Sequence, residues 1–334
     1  MRITYVLASN ELNGGHKVAF QQVDLLRRAG HELTLLSRGE RPSWPGYDGP
    51  YHDLDAGPPQ LASQDLVVGT FWTTLPVARD LGVGPVAHLC QGYEAGLEHL
   101  ESQRPAIEEV YRLPIPALVV SPHLGDLLRE RFGRQSVWTP PPLDRRFRPA
   151  TLPRLAPRRR PRIAIPGIYE ARVKGVREAL DAVARVRAAG IEARVLRVSF
   201  RPLTDEERAR FEPSTYLCAV PPERVARELR ACDLLLFGSR REEGFGLPLL
   251  EAMASGVPAV SFAIPSVRCF AEGAVQLVEP EDAKALGSAA FDLLGDAAAW
   301  RRARRRGLRA AARFRPEAVA PRLLDGVRWA ASQA

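Results

Sequence analysis

Short apolar runs alternate with amphipathic stretches along this chain, and the alternation stops once, at residues 149–161 (PATLPRLAPRRRP), before starting again. That single interruption constrains the fold more than any other feature. It holds four prolines and four arginines and shows no apolar periodicity, which is the composition of an inter-domain link. With 334 residues the chain is long enough for two domains, and a hydrophobic content of 46% lets each bury a core. Before the link, Ile3–Ala8, Leu33–Leu36, Leu66–Gly69, Val86–Leu89 and Ala117–Ser121 read as short strands. Lys17–Ala29 reads as a helix with Val18, Gln22, Leu25, Leu26 and Ala29 on one side and Gly30 as its stop. After the link come a strand at Arg162–Ile165, a helix at Val176–Ala189 stopped by Gly190, a strand at Ala193–Val198, a helix at Pro222–Ala231 and a strand at Leu234–Phe237. Connections long enough for crossovers imply parallel sheets covered on both faces. The fold class is α/β, with two doubly wound halves, and the arginine-rich helices after Asp296 read as outer closing elements.

Several classes of protein are excluded. The longest uncharged stretch, Ala252–Val267, is broken by Gly256, Pro258 and Pro265, and no apolar run approaches the roughly 18 residues that span a bilayer. Only about six apolar residues (Ile3–Ala8) precede polar Ser9, too few for a signal-peptide core, so a cytoplasmic location is expected. Cys90, Cys218, Cys232 and Cys269 lie far apart without a CxxC pair, so they read as buried small hydrophobes and not as a zinc or disulfide framework. The net charge is +8, and of 47 Lys and Arg residues only Lys17, Lys174 and Lys284 are lysines. Two arginine runs, Arg154–Arg162 and Arg301–Arg309, read either as a solvated link and helix face or as a basic surface for an anionic membrane or phosphorylated substrate. Neither aromatic interleaving nor a recognition-helix signature supports nucleic acid.

The most informative segment is EEGFGLPLLEAMASGVPAV, Glu242–Val260. Gly244 and Gly246 permit a tight turn and Pro248 suits a first helical turn, so a helix is expected to start near Leu247. The amides of Phe245, Gly246 and Leu247, at the positive end of that helix, would face an anion such as phosphate. Glu243 lies just before the loop and Glu251 one turn into the helix, where carboxylates can accept hydrogen bonds from a hydroxyl-rich ligand. The alternative is a common glycine-rich turn with solvent-facing glutamates.

The segment FGSRREEGFGLPLLEAMASGVPAV resembles the Glu-x7-Glu signature of retaining family 4 glycosyltransferases of the GT-B fold, glycosyl transferases group 1. The resemblance implies two Rossmann-like domains facing across a cleft: residues 1–150 on the acceptor side, 151–315 for the nucleotide sugar, and a C-terminal helix in 316–334 packing back on the first domain. It implies that Glu243 lies beside the donor sugar and its phosphate, that Glu251 holds the ribose hydroxyls, and that the amides of Phe245 to Leu247 line the donor site. In PGIYEARVKG, Pro166–Gly175, the family pattern of Gly-Arg followed by Lys-Gly is met by Gly167 and by Lys174-Gly175, but Ile168 stands where arginine is expected. Arg172 is the candidate replacement, and Lys174 and Arg172 would neutralise the donor diphosphate. Gly14-Gly15 resembles the family's glycine pair facing the donor phosphates. In VAHLCQGYEAG, Gln91 stands where many relatives place a histidine near the sugar, while His88 reads as a packed histidine. Pro141-Pro142 replaces the family's Asn-Gly before the link, a departure that touches acceptor binding.

The resemblance further implies a hexosyl- or deoxyhexosyltransferase of polysaccharide-type biosynthesis acting on a glycan, lipid-linked or small hydroxyl acceptor, with no metal and no cofactor beyond the nucleotide sugar. Asp53-Leu54-Asp55 matches the metal-binding DxD of another glycosyltransferase architecture, and reads here as coincidence beside the Gly57-Pro58-Pro59 loop. A sugar-nucleotide epimerase or phosphorylase of the same fold, and a non-catalytic nucleotide-sugar-binding scaffold, are the competing readings. Release of nucleoside diphosphate separates them: a transferase needs acceptor, an epimerase none, and a scaffold releases nothing.

Overall fold

A computed structural model describes every residue except Leu12, residues 44–46, Pro153 and Ala334. Leu12 of the glycine-pair segment, Pro153 of the link and Ala334 of the C-terminal segment thus lie outside the described residues. The chain forms two compact units, Met1–Pro142 with Pro316–Ala334, and Leu143–Arg315.

The first unit is built on strands β1 (Arg2–Val6), β2 (Glu32–Ser37), β3 (Tyr51–Asp53), β4 (Leu66–Gly69), β5 (Val86–Cys90), β6 (Ala117–Val119) and β7 (Ser136–Trp138), with helices α1 (Gly14–Arg28), α2 (Thr74–Asp80), α3 (Arg104–Tyr111) and α4 (Pro122–Phe132). The sheet runs β3-β2-β1-β4-β5-β6-β7 with every pair parallel. β1 is the switch strand: Tyr5 pairs with Leu35 on one side and Val68 on the other. All four residues of β4 are buried, as expected when helices cover both faces.

The second unit repeats the plan with β8 (Arg162–Pro166), β9 (Arg194–Ser199), β10 (Thr215–Cys218), β11 (Leu234–Phe237), β12 (Ala259–Phe262) and β13 (Gln276–Val278). Its parallel order is β10-β9-β8-β11-β12-β13. The helices are α5 (Val176–Ala188), α6 (Asp205–Arg210), α7 (Pro222–Arg230), α8 (Leu247–Ala254), α9 (Pro265–Ala271), α10 (Ala283–Gly295) and α11 (Ala297–Ala312). The leucines and phenylalanine of β11 are all buried, and each contributes roughly 1.5–3 kcal/mol. The last helix, α12 (Pro316–Ser332), belongs to the first unit, where it packs on α1 and along β5 and β6.

Three sequence expectations are corrected. The first helix begins at Gly14, not Lys17, because Asn13 caps it by accepting from the His16 amide at 2.8 Å, so both glycines are helical residues. Of the cysteines, only Cys90 and Cys232 are buried; Cys218 ends edge strand β10 and is exposed, and Cys269 is half-buried. The arginines at 154 and 158 do not simply point into solvent: part-buried Arg154 and exposed Arg158 both pair with the fully buried Asp233. Arg154 Nη1 lies 2.5 Å and Arg158 Nη1 2.9 Å from its carboxylate, which also accepts from the Arg162 amide at 2.8 Å. A buried carboxylate demands such partners, and their cost in desolvation fastens the segment onto the second unit.

Candidate active site

In doubly wound sheets the ligand end lies beyond the carboxyl ends of the strands, beside the switch point. In the second unit that point lies between β8 and β11. The chain leaves β8 through Gly167, at φ +123°, runs through a single 3-10 turn at Arg172–Lys174, and enters α5 by way of Gly175 at φ +54°. The loop leaving β11 meets this turn. A Cβ on Gly175 would sit 1.6 Å from the Gly238 carbonyl oxygen, so only glycine allows the two backbones to touch. The Arg240 amide then donates to the Val173 carbonyl at 2.8 Å.

That stitching brings Lys174 and Glu243 together, with Nζ 2.9 Å from Oε2. The Glu243 side chain is 11% exposed and that of Lys174 36%, so the pair is shielded yet open on one side. Gly246, at φ +100°, caps α8, which starts at Leu247 as expected. Among the described residues no group accepts from the amides of Phe245, Gly246 or Leu247. These donors lie at the positive end of α8, next in sequence to the Lys174–Glu243 pair. The Phe245 ring does not face a ligand; it is buried and stacked on Phe270 at a centroid distance of 4.6 Å, which holds the loop in place. Glu251 lies half-buried in the middle of α8, and Arg172 is exposed on the 3-10 turn.

The sequence reading did not find the residues that hold these loops. Arg197 on β9 is fully buried, donates to the carbonyls of Ile165 (2.6 Å) and Gly167 (2.9 Å), and pairs with buried Glu207 of α6 at 2.5 Å. Glu206, also on α6, accepts from the Tyr169 hydroxyl at 3.0 Å and pairs with Arg177. Arg240 forms ion pairs with Glu178 and, at 2.9 Å, with Glu281. One arginine among so many carries no local signal of burial.

In the first unit, Gly14 and Gly15 open α1 at the end of β1, and Gln91 follows β5. The Gln91 Nε2 atom lies 3.2 Å from where a Cβ on Gly15 would stand, so the glycine pair and Gln91 share one corner. Behind it sits a buried cluster. The Tyr111 hydroxyl donates to Glu94 and lies 3.0 Å from the Gly92 carbonyl oxygen, and burial pushes the Glu94 carboxyl up to about 7. His88 is fully buried edge-on to Tyr111 and burial holds its pKa well below the ordinary value, as befits a packed histidine. Of the DxD match, Asp53 accepts from the amides of Gly39 and Asp55, and Asp55 pairs with Arg38 at 2.9 Å. Among the described residues no three His, Cys, Asp or Glu side chains gather closely enough to hold a metal.

Residues 160–296 match the model of the family described as glycosyl transferases group 1. The sequence matches none of the curated proteins. Among solved structures, sucrose-phosphate synthase from Thermosynechococcus elongatus is similar at TM-score 0.78 and 20% identity, covering 100% of both chains. HepE from Anabaena, in complex with UDP-glucose, is similar at TM-score 0.79 and 13% identity, covering 98% of this chain and 100% of that one. A glycosyltransferase from Rickettsia africae is similar at TM-score 0.75 and 14% identity over 100% and 99% of the two chains. The two doubly wound units and the likeness to these structures converge on one conclusion: this chain has the GT-B fold, and its residues 160–296, which carry the Glu-x7-Glu loop on α8, match the glycosyl transferases group 1 family.

Proposed function

We propose that the protein transfers a sugar from a nucleoside-diphosphate sugar to a hydroxyl acceptor with retention of anomeric configuration and without a metal. The observation that carries this reading is the Lys174–Glu243 pair, formed across 69 residues next to the three open amides at the start of α8. The bond between the anomeric carbon and the phosphate oxygen breaks, leaving negative charge on the diphosphate. The Lys174 ammonium and the α8 amides meet that charge, with Arg172 as the second cation. Glu243 orients Lys174 and lies beside the sugar, and Glu251 accepts from the ribose hydroxyls. The acceptor oxygen bonds to the anomeric carbon on the face the phosphate leaves, and its proton passes to the departing phosphate oxygen. The first unit takes the acceptor, and Gly14, Gly15 and Gln91, which share one corner of that unit, are its proposed donor contacts. The HepE structures, one in complex with UDP-glucose and another with UDP and glucose, favour uridine diphosphate sugars as the first donors to test. Peripheral contact with an anionic membrane belongs to the same proposal, because a lipid-linked acceptor would lie there.

The test is release of nucleoside diphosphate from a panel of nucleotide sugars, with and without hydroxyl acceptors and with excess EDTA. Acceptor-dependent release that survives EDTA is expected. Release without acceptor would replace transfer by epimerisation or hydrolysis, and activity lost to chelator and restored by Mn²⁺ would overturn the metal-free mechanism.

A further inference from the structure

The two most exposed large apolar side chains among the described residues are Leu152 (86%) and Leu155 (69%), and they belong to one loop. The loop is not loose. Arg154 and Arg158 anchor it to buried Asp233, Arg158 also donates to the Ala231 carbonyl at 2.7 Å, and Arg301 of α11 donates to the Leu155 carbonyl at 2.8 Å. A fully buried carboxylate is thus committed to a segment whose leucines remain in water. Scattered exposed leucines are ordinary, but two on one fastened loop form a patch.

The Arg301 contact sets that patch at the N-terminal end of a charged stripe. Trp300, Gly307, Ala310 and Ala311 bury the inner face of α11. At 100° per residue, Arg301, Arg302, Arg305, Arg306 and Arg309 fall together on the opposite face. Arg302 is 3.7 Å from Asp296, and in the loop Arg160 pairs with Glu192 at 2.5 Å. Arg159, Arg305, Arg306 and Arg309 are exposed and form no ion pair among the described residues. Leucines beside a row of unneutralised guanidiniums match the boundary between acyl chains and anionic headgroups. The exposed set includes no aromatic ring on which a nucleic-acid base would stack.

We propose that the loop at 151–160 and the outer stripe of α11 dock the second unit onto an anionic lipid bilayer, with Leu152 and Leu155 entering the acyl boundary and Arg159, Arg305, Arg306 and Arg309 meeting headgroup phosphates. This names the surface for the peripheral contact proposed above, and rests on that reading only for its biological use. Its chemistry is independent of the donor site.

The experiment is co-sedimentation of the full chain with phosphatidylglycerol–phosphatidylcholine vesicles and with pure phosphatidylcholine vesicles, at low and high salt. Wild type is expected to bind only the anionic vesicles, more weakly as salt rises. The triple variant Arg305→Ser, Arg306→Ser, Arg309→Ser is expected to lose about 100-fold in partitioning, from about 1 kcal/mol per basic residue. Leu152→Asp with Leu155→Asp is expected to abolish the binding that persists at high salt. These side chains are exposed, so melting temperature and the thermal shift produced by UDP-glucose should be unchanged in both variants. That shift also reports the donor site separately, so its absence from wild type would count against the donor reading and leave the docking result intact. Equal binding to neutral vesicles, wild-type binding by either variant, or capture by DNA or polyglutamate in place of vesicles would overturn the proposal.

Discussion

At the scale of single residues the proposed mechanism gives the two glutamates of α8 and its loop different tasks. Glu243 contacts Lys174, whose charge the proposed mechanism uses most when the phosphate leaves, whereas Glu251 lies further along α8 with the ribose as its partner in the proposed complex. An interaction made only in the transition state changes kcat, and one made equally in the ground state changes KM. Glu243→Ala is therefore expected to lower kcat, by about 100-fold if the loss resembles that of one charge-stabilising donor, and Glu251→Ala to raise the donor KM with kcat little changed. Steady-state kinetics with saturating acceptor checks this; parallel effects of the two variants would contradict the assignment. Lys174, Glu243 and Glu251 were all legible in the sequence, because each belongs to a short motif with fixed spacing. Arg197, which holds the Gly167 corner from beneath, was not, because its signal is burial and not spacing.

At the scale of elements, the corner of the first unit carrying Gln91 is tied to β5 and α3 by a buried acid. In the folded protein desolvation raises the Glu94 carboxyl to about 7 from an ordinary value of 4.5. Between those values the folded state keeps a proton that the unfolded state has released, so stability falls as pH rises from 4.5 to about 7 and then levels off. The contribution is about 3 kcal/mol at about 1.4 kcal/mol per pH unit. His88 and His123, both lowered by burial, act in the opposite direction, since the unfolded state takes up their protons first as pH falls. Comparison with Glu94→Gln isolates the acid: the variant, neutral throughout, is expected to gain about 3 kcal/mol on wild type between acidic and mildly alkaline pH. Urea midpoints across that range measure it. A constant difference between the two proteins would show that Glu94 titrates normally.

At the scale of the whole molecule, the chain closes its first unit with its last helix. Gly326 of α12 lies so near the sheet that a Cβ would stand 2.5 Å from Cγ2 of Thr139. Gly326→Leu should therefore force α12 away from β5 and β6 and destabilise the first unit by about 1–3 kcal/mol, the usual range for overpacking. The second unit, with its own sheet and the 149–161 segment anchored on Asp233, should keep its nucleotide-sugar thermal shift. Calorimetry with and without UDP-glucose separates the two effects. Unchanged melting of Gly326→Leu would mean that α12 contributes little to the first unit.

The sequence alone determined the α/β class, the doubling of the pattern and most central elements, because strand and helix periodicity and glycine and proline punctuation are local properties. β4 and β11 lie where their apolar runs indicated, and α8 starts at Leu247 because Gly246 and Pro248 permit little else. Tertiary structure decided what depends on partners far along the chain. β3, β7, β10 and β13 have only three or four residues each and exist because a neighbouring strand offers a hydrogen-bonding edge. The run at Arg154–Arg162 reads as a solvated link until Asp233, 79 residues beyond Arg154, claims two of its guanidiniums. Lys174 and Glu243 were visible as separate motifs, but their ion pair required Gly175 and Gly238 to bring two loops into backbone contact. Composition and spacing describe one segment at a time and do not encode that approach.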